Sequence, residues 1–265
     1  MLRHVHIPKT AGSALNAVIY KALGQRPVHI ANVIDQKLEN KKYYDLVRNS
    51  SAYNFARNNR YLSGHISYSD MKSLDGDFIF SVLRDPRQRF VSEYTYALTR
   101  IDRGRKLIGK VEDGNFLSFI NARKAGNGVF KLLCMDFFRA KGLDLRDIIS
   151  DKDTLHRLTI RALRRYDAIY FCSVQEILND LGKRSLIPSC QEIVVNTSSE
   201  GLVLGNLGLR QTFLDRLDKL TYFDSFVMHI ASELFPDTIK KQVLTNDEFI
   251  KYLEERFDCK FESEF

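Results

Sequence analysis

Residues 77–83 read DFIFSVL, apolar at nearly every position, and run straight into Arg84-Asp85-Pro86. A strand that is apolar on both faces belongs to a sheet covered on both sides, the usual setting of parallel strands. Parallel neighbours need crossover connections, commonly helices. The chain supplies both. LRHVH (2–6) alternates like a short strand, YLSGHISY (61–68) reads as a short strand running into a loop, and YDAIYFCSV (166–174) is a further strand. ALNAVIYKAL (14–23) has helical spacing, and Asp85 before Pro86 is a helix start with proline at the first helical position. Helical segments are expected over 115–139 and 151–165, and QEILNDLGKR turns the 166–174 strand into another helix. Residues 207–234 read as a long amphipathic helix, broken once, and a last helix starts at the caps Thr245 and Asn246. Strands alternating with helices predict an α/β fold, doubly wound, with a mostly parallel sheet and helices on both faces. At 265 residues, one such domain spanning 1–265 is expected.

Composition narrows the function classes. A 44% hydrophobic content supports a sizeable core, with 18 Phe and 12 Tyr but no Trp. Forty Lys+Arg against 33 Asp+Glu leave a formal charge of +7, a mild bias that suits an acidic ligand or ordinary solubility equally. Cys134, Cys172, Cys190 and Cys259 are far apart and form no CxxC or Cys/His cluster, so neither a disulfide framework nor a metal site is expected. Cys172, inside AIYFCSV, reads as a buried small hydrophobe. No apolar run approaches the roughly 20 residues of a membrane span, and the first residues pass directly into a strand rather than a signal peptide. The expected location is the cytoplasm, where the N-x-S/T matches at Asn49 and Asn196 are chance matches or serve another purpose.

In open α/β sheets, ligands sit beyond the carboxyl ends of the strands. Three unusual loops follow strands, at 7–13, 64–68 and 84–92, and are expected to converge. In the first, HIPKTAGS, the chain turns from strand to helix, exposing helix N-terminal N–H groups that attract anions. Its Lys9 precedes Gly12, whereas a GxxxxGK[ST] phosphate loop has lysine after the last glycine. That order disfavours an ordinary nucleotide kinase or NTPase; a plain helix start capped by Ser13 is the bland alternative. In the third loop, Arg84 ends a strand and Ser92 lies two helical turns on, so a guanidinium and a hydroxyl can share one phosphate. The alternative there is a local Arg84–Asp85 ion pair and a surface hydroxyl.

Together, HIPKTAGS and LRDPRQRFVSEY resemble the sulfotransferases that use 3′-phosphoadenosine 5′-phosphosulfate (PAPS), specifically the heparan sulfate 2-O- and 6-O-sulfotransferase type, of which this chain looks like a soluble bacterial member. SGHISY (63–68) is similar to the Gly-His-x-x-Tyr stretch that carries the catalytic base in the 2-O group. Fainter likenesses lie in YFCSVQEILND (170–180) and LTYFDSF (220–226), so the resemblance covers 1–100 and 166–234 in pieces. It implies a P-loop-like sheet, with 101–165 as an acceptor-side insertion. It also implies that Lys9 touches the bridging oxygen and sulfonate, and that Thr10, Ala11, Gly12 and Ser13 hold the 5′-phosphate. Arg84 and Ser92 would grip the 3′-phosphate, and His65 would be the general base. Ala14 departs from the pattern, standing where relatives often carry a further hydroxyl. His6 could line the site, whereas His4, His29, His156 and His229 read as structural or exposed.

The implied reaction transfers a sulfonate from PAPS to a hydroxyl and releases adenosine 3′,5′-bisphosphate, without metal. An alcohol needs a base to take its proton as the new bond forms, and imidazole is suited to that at neutral pH. A lysine on the leaving phosphate stabilises charge where it develops. Arg100, Arg103, Arg105 and Lys106, with Lys110, form a basic loop where relatives that act on anionic polysaccharides carry cations, and which reads equally as a solvated charge run; the expected acceptor is a glycan or glycoconjugate, anionic if the loop binds it, with no nucleic-acid partner. A second row, Arg157, Arg161, Arg164 and Arg165, reads as a solvent-facing stripe. NTSSE (196–200) resembles a loop that closes near the donor. Two other classes compete: a metal-dependent nucleotide kinase with a degenerate phosphate loop, and a non-enzymatic anionic-glycan-binding module.

Overall fold

A computed structural model describes residues 1–25, 58–101, 116, 119–120, 127–144, 149–191 and 203–262. Its elements, in order, are β1 (Leu2–Val5), α1 (Gly12–Ala22), β2 (Tyr61–Gly64), α2 (Tyr68–Ser73), β3 (Phe78–Val82), α3 (Pro86–Ile101), α4 (Gly128–Ala140), α5 (Lys152–Leu163), β4 (Ala168–Tyr170), α6 (Val174–Lys183), β5 (Val203–Leu209), α7 (Arg210–Leu234), α8 (Asn246–Arg256) and β6 (Asp258–Glu262). The chain divides into two compact units, each assembled from three stretches. The first takes Met1–Leu83, Val129–Asn196 and His229–Lys241; the second takes Arg84–Gly128, Thr197–Met228 and Gln242–Phe265.

The first unit is built on a four-stranded sheet in the order β2-β1-β3-β4, every pair parallel. This is the α/β arrangement that the apolar 77–83 run demands. Side chains alternate between faces along a strand. Leu2, Tyr61, Phe80, Val82 and Tyr170 form one face and pack with Leu15, Val18 and Ile19 of α1 and Ile177, Leu178 and Leu181 of α6. The alternate positions meet α2. There Arg3, fully buried, donates from Nε and Nη2 to the Leu74 carbonyl (3.0 and 2.7 Å) and from Nη1 to that of Asn59 (2.9 Å). Burial lowers its pKa to about 10, against the opposing pull of Asp75 and Asp77.

Element ends follow local chemistry. Ser173 caps α6 with its hydroxyl on the Glu176 N–H, and the Glu176 carboxylate accepts the Ser173 N–H in return. That reciprocal pair also ends the strand early: of the expected 166–174, only 168–170 is strand, with Phe171 bridging to Ile239. Thr245 makes the same box with Glu248, so it is the cap of α8 and Asn246 the first helical residue. Of the expected 115–139 helix, the described part is helical at 116, 119–120 and through α4, with Asn127 left-handed (φ 62°) just before it. The expected 151–165 helix is α5.

The second unit contains a small parallel sheet, β5 with β6, that the sequence pattern does not predict. Residues 207–209 belong to a strand rather than to the helix, because Gly205 and Gly208 take positive φ (75° and 73°) and break helical continuation. From Arg210 the helix then runs unbroken to Leu234. The core of this unit is aromatic: Phe90, Tyr94, Phe116, Phe213 and Phe249 are all buried, with Tyr94 and Phe116 centroids 4.7 Å apart. None of the four cysteines is in a disulfide. Cys172 is half-buried rather than fully enclosed, and burial raises its thiol pKa to about 11. No helix among the described residues is long and apolar enough to cross a membrane.

The α6 cap and core give a stability test. Ser173→Ala is expected to cost about 1 kcal/mol. Ile177→Ala, which empties a fully buried position, is expected to cost about 2–5 kcal/mol. Urea unfolding followed by circular dichroism would read both, and an equal, near-zero cost for the two would contradict this packing.

Candidate functional site

β1 delivers the chain into Ile7-Pro8-Lys9-Thr10-Ala11. Lys9 and Ala11 both adopt left-handed backbone, φ 69° and 65°, a conformation that costs an L residue about 1–2 kcal/mol. Strain of this kind persists where the surroundings over-determine it, characteristically at binding loops. The loop is braced from within: the Thr10 hydroxyl, 2% exposed, donates to the Ile7 carbonyl at 2.9 Å. Thr10 therefore has its side chain turned into the loop, leaving its backbone as the part suited to an anion. Ala11 is the N-cap of α1 and supplies no side-chain acceptor. Ala14 and Leu15 donate to the Ala11 carbonyl (3.1 and 3.2 Å), so the leading N–H groups at Gly12 and Ser13 remain without a capping side chain. With Ser13 exposed and Lys9, four residues before it, half-buried, this end of α1 has the polarity that attracts an anion.

Gly12 is glycine for a reason the sequence pattern does not reveal. A Cβ there would lie 2.2 Å from both Cδ2 and Nε2 of His6, so the imidazole occupies the space a side chain would need. His6 is 5% exposed.

β1 and β2 pair in parallel with Val5 opposite Gly64, so the residues just beyond, His6 and His65, emerge side by side. The His6 N–H donates to the Gly64 carbonyl at 2.9 Å, and His65 Nδ1 donates to the His6 carbonyl at 2.6 Å. A carbonyl can only accept, so Nδ1 carries the proton. In the neutral ring Nε2 is then the basic nitrogen. His65 itself is exposed. Its ring lies 4.6 Å from that of His6, which lies 5.3 Å from that of His4. His4 is the structural residue expected: fully buried, it stacks on Phe80 (4.6 Å, 7°), and its Nδ1 meets Asn16 Oδ1, the Tyr61 hydroxyl and the Ser63 hydroxyl.

The rest of SGHISY anchors this loop. Ser67 caps α2 in a reciprocal pair with Asp70. Asp136 accepts from both the N–H and the hydroxyl of Ser69 (3.0 and 2.7 Å), and takes the Arg165 guanidinium at 2.6 and 3.1 Å. Arg165 also lies over the rings of Tyr68 (4.7 Å) and Phe137 (5.0 Å). The expected solvent-facing stripe thus holds for Arg157, Arg161 and Arg164, which are exposed, but not for Arg165. Burial opposes ionisation of Asp136, yet the Arg165 and Ser69 hydrogen bonds outweigh it and hold the carboxyl below its ordinary range.

The second unit carries Arg84 and Ser92, both half-buried. Asp85 is not a simple ion-pair partner of Arg84: it caps α3, accepting the N–H groups of Arg87 (2.9 Å) and Gln88 (3.0 Å) on Oδ1 and that of Leu244 (2.9 Å) on Oδ2. Arg87 donates to Asn246 Oδ1 (2.8 Å) and to the Leu244 carbonyl, and lies over the Phe249 ring at 4.8 Å. Arg89, 3% exposed, pairs with the fully buried Asp224 at 3.3 Å and with Glu93 at 3.1 Å. Arg84 Nη2 reaches the Tyr252 hydroxyl at 3.4 Å, and Arg256 sits over the Tyr252 ring at 5.6 Å. Burial lowers the pKa of Arg84, and the Arg256 cation adds to this against the opposing pull of Tyr252 and Asp85. Two guanidiniums near one phenol make an electropositive corner, and sequence reasoning missed its α8 half because no motif marks residues so distant along the chain.

Arg100, Arg103, Arg105, Lys106 and Lys110 and the 196–200 loop lie outside the described residues or side chains, as do His29, Asn49 and Asn196 and parts of 101–165. Among the described residues no group of three His, Cys, Asp or Glu side chains is arranged to hold a metal ion.

Residues 2–129 match the model of the sulfotransferase family. No curated protein matches the chain.

The loop geometry makes Ala11→Gly neutral or stabilising by up to about 1 kcal/mol, since glycine enters the left-handed region without penalty. A clear loss in thermal melting would contradict left-handed backbone at Ala11. The Asp136 pairing predicts a pH dependence. Its folded pKa is depressed, so its contribution is present above the unfolded value near 4 and fades as pH falls through the folded value. The stability gap between wild type and Asp136→Asn should therefore be full at neutral pH and shrink below about pH 4; a gap independent of pH would rule out a structural ion pair here.

Proposed function

We propose, from the match of residues 2–129 to the sulfotransferase family model, that this chain is an O-sulfotransferase moving the sulfonate of PAPS to a carbohydrate hydroxyl. The observation that carries this reading is His65: an exposed imidazole whose Nδ1 is committed to the His6 carbonyl, leaving Nε2 as the basic nitrogen of the neutral ring. The acceptor oxygen would attack sulfur as the bond from sulfur to the 5′-phosphate oxygen breaks. Its proton would pass to His65 Nε2. Lys9 would stabilise the charge gathering on the departing phosphate oxygen, and the N–H groups of Gly12 and Ser13, with the Thr10 and Ala11 backbone, would hold that phosphate. Arg84 and Ser92 would take the 3′-phosphate, an assignment supported by their spacing and by the electropositive corner that Arg256 adds to Arg84. Positioning and electrostatics supply most of the rate in such a scheme. The acceptor class rests on the sequence resemblance to glycan sulfotransferases and on the basic run from Arg100 to Lys110.

Calorimetry without metal should show adenosine 3′,5′-bisphosphate binding far more tightly than 5′-AMP. Arg84→Ala should weaken that binding roughly ten- to a hundredfold, the loss of one charged hydrogen-bond partner. Equal affinity for the two nucleotides would end the assignment. His65→Ala should leave bisphosphate affinity nearly unchanged while kcat on a glycan acceptor falls by about 10²–10⁴. A soluble His65→Ala with near-normal kcat would transfer the base role elsewhere.

A further inference from the structure

Three imidazoles and a phenyl ring run in a column from the middle of the sheet to its carboxyl edge: Phe80, His4, His6 and His65, with successive centroids 4.6, 5.3 and 4.6 Å apart. The lower rings are fixed. His4 is fully buried against Phe80 and tied to Asn16, Tyr61 and Ser63. The upper ring, His65, is exposed and hydrogen-bonded through Nδ1 to the His6 carbonyl. A hydrogen bond at one ring atom fixes that atom but not the plane of the imidazole, which packing has to set. The His6 ring lies against it, tilted by 34°. The same ring presents its Cδ2–Nε2 edge to Gly12, the first residue of α1, so closely that a Cβ there would overlap it at 2.2 Å.

We infer that His6 is a positioning residue, a ring wedged between the N-terminus of α1 and the His65 imidazole that sets their spacing and holds the His65 plane. The inference rests on the reading of His65 as base and of α1 as the anion-binding end. It goes beyond that reading by making the two interdependent: a shift of the His6 ring disturbs both. It also accounts for two residues that an anion loop alone does not require. Gly12 has to lack a side chain because the wedge fills the space, and His6 has to be planar to lie flat enough between a helix end and a second ring. His6 touches no reacting atom in this scheme.

A double-mutant cycle on His6 and Gly12, read by two probes, tests it. The first probe is the affinity for adenosine 3′,5′-bisphosphate. The second is the NMR order parameter of the His65 ring C–H bonds, which reports ring rigidity independently of any activity. Gly12→Ala should weaken bisphosphate binding by about tenfold or more, because the added methyl and the imidazole cannot both fit. Adding His6→Ala should bring affinity back to within about threefold of wild type, as expected for directly coupled neighbours. His6→Leu should lower the His65 order parameter, whereas His6→Phe, which restores a flat ring, should return it to the wild-type value. Full additivity of Gly12→Ala and His6→Ala, or a His65 ring as rigid in His6→Leu as in wild type, would overturn the inference. If wild type fails to bind the bisphosphate, the functional reading falls, while the ring order parameters in His6→Leu and His6→Phe still decide whether His6 is the wedge.

Discussion

The parallel pairing of β1 with β2 is the constraint on which the first unit's part of the candidate site depends. Val5 opposite Gly64 leaves the next residue of each strand at the sheet edge, where the backbones still exchange hydrogen bonds but the loops have begun to diverge. His6 and His65 are those residues. Their adjacency is therefore a property of register, and a slip by one position would turn one ring to the other face of the sheet. Register in turn is held by burial: every residue of both strands is buried, and a slip of β1 would exchange Leu2 with Arg3, whose guanidinium is tied to the Leu74 and Asn59 carbonyls. The tautomer of His65 thus depends on apolar packing several residues away.

A second theme is the use of charge for architecture beside a motif that suggests ligand binding. In RDPRQR, Arg84 alone faces the electropositive corner; Asp85 caps a helix and fixes Leu244, Arg87 clamps the start of α8, and Arg89 pairs with buried Asp224. Removing one partner of a buried pair leaves an uncompensated charge and costs about 3–5 kcal/mol. Loss of activity on substituting these neighbours would therefore say little about donor binding. Arg165 makes the same point in the first unit, where a residue on a basic helical row turns inward to hold Asp136 and cover Tyr68.

The sheet was legible because its signal is physical and local. DFIFSVL can be satisfied only by burial on both faces, and Asp85-Pro86 and Thr245-Asn246 mark helix starts through the N–H groups they cap or lack. The HIPKTAGS and SGHISY loops were legible, through β1 and β2, as neighbours. What could not be read depends on contacts between distant residues. Nothing in Tyr252 or Arg256 announces Arg84, nothing in Asp136 announces Ser69, and Gly12 looked like a loop glycine rather than the space left for His6. β5 and β6 escaped for a different reason: Gly205 and Gly208 interrupt an otherwise helix-like run, and β5 pairs with a strand some fifty residues on, outside any local window.

The loop after β1 carries two strained residues and a helix end with no side-chain cap, although serine and threonine were at hand. Moving Ser13 to the cap position would satisfy one of the N–H groups and release strain at Ala11, for a gain of about 1–2 kcal/mol. Such a cap would also place an acceptor oxygen against the N–H groups that an incoming phosphate needs. Thr10, the other nearby hydroxyl, is turned away onto Ile7. A loop shaped only by stability would be expected to use one of these hydroxyls as a cap. Leaving both aside keeps the positive end of α1 open to an external anion, and the His6 ring beneath Gly12 keeps the helix from relaxing into the space. On the proposed reading, the strain at Lys9 and Ala11 is the cost of holding an anion site ready before its ligand arrives.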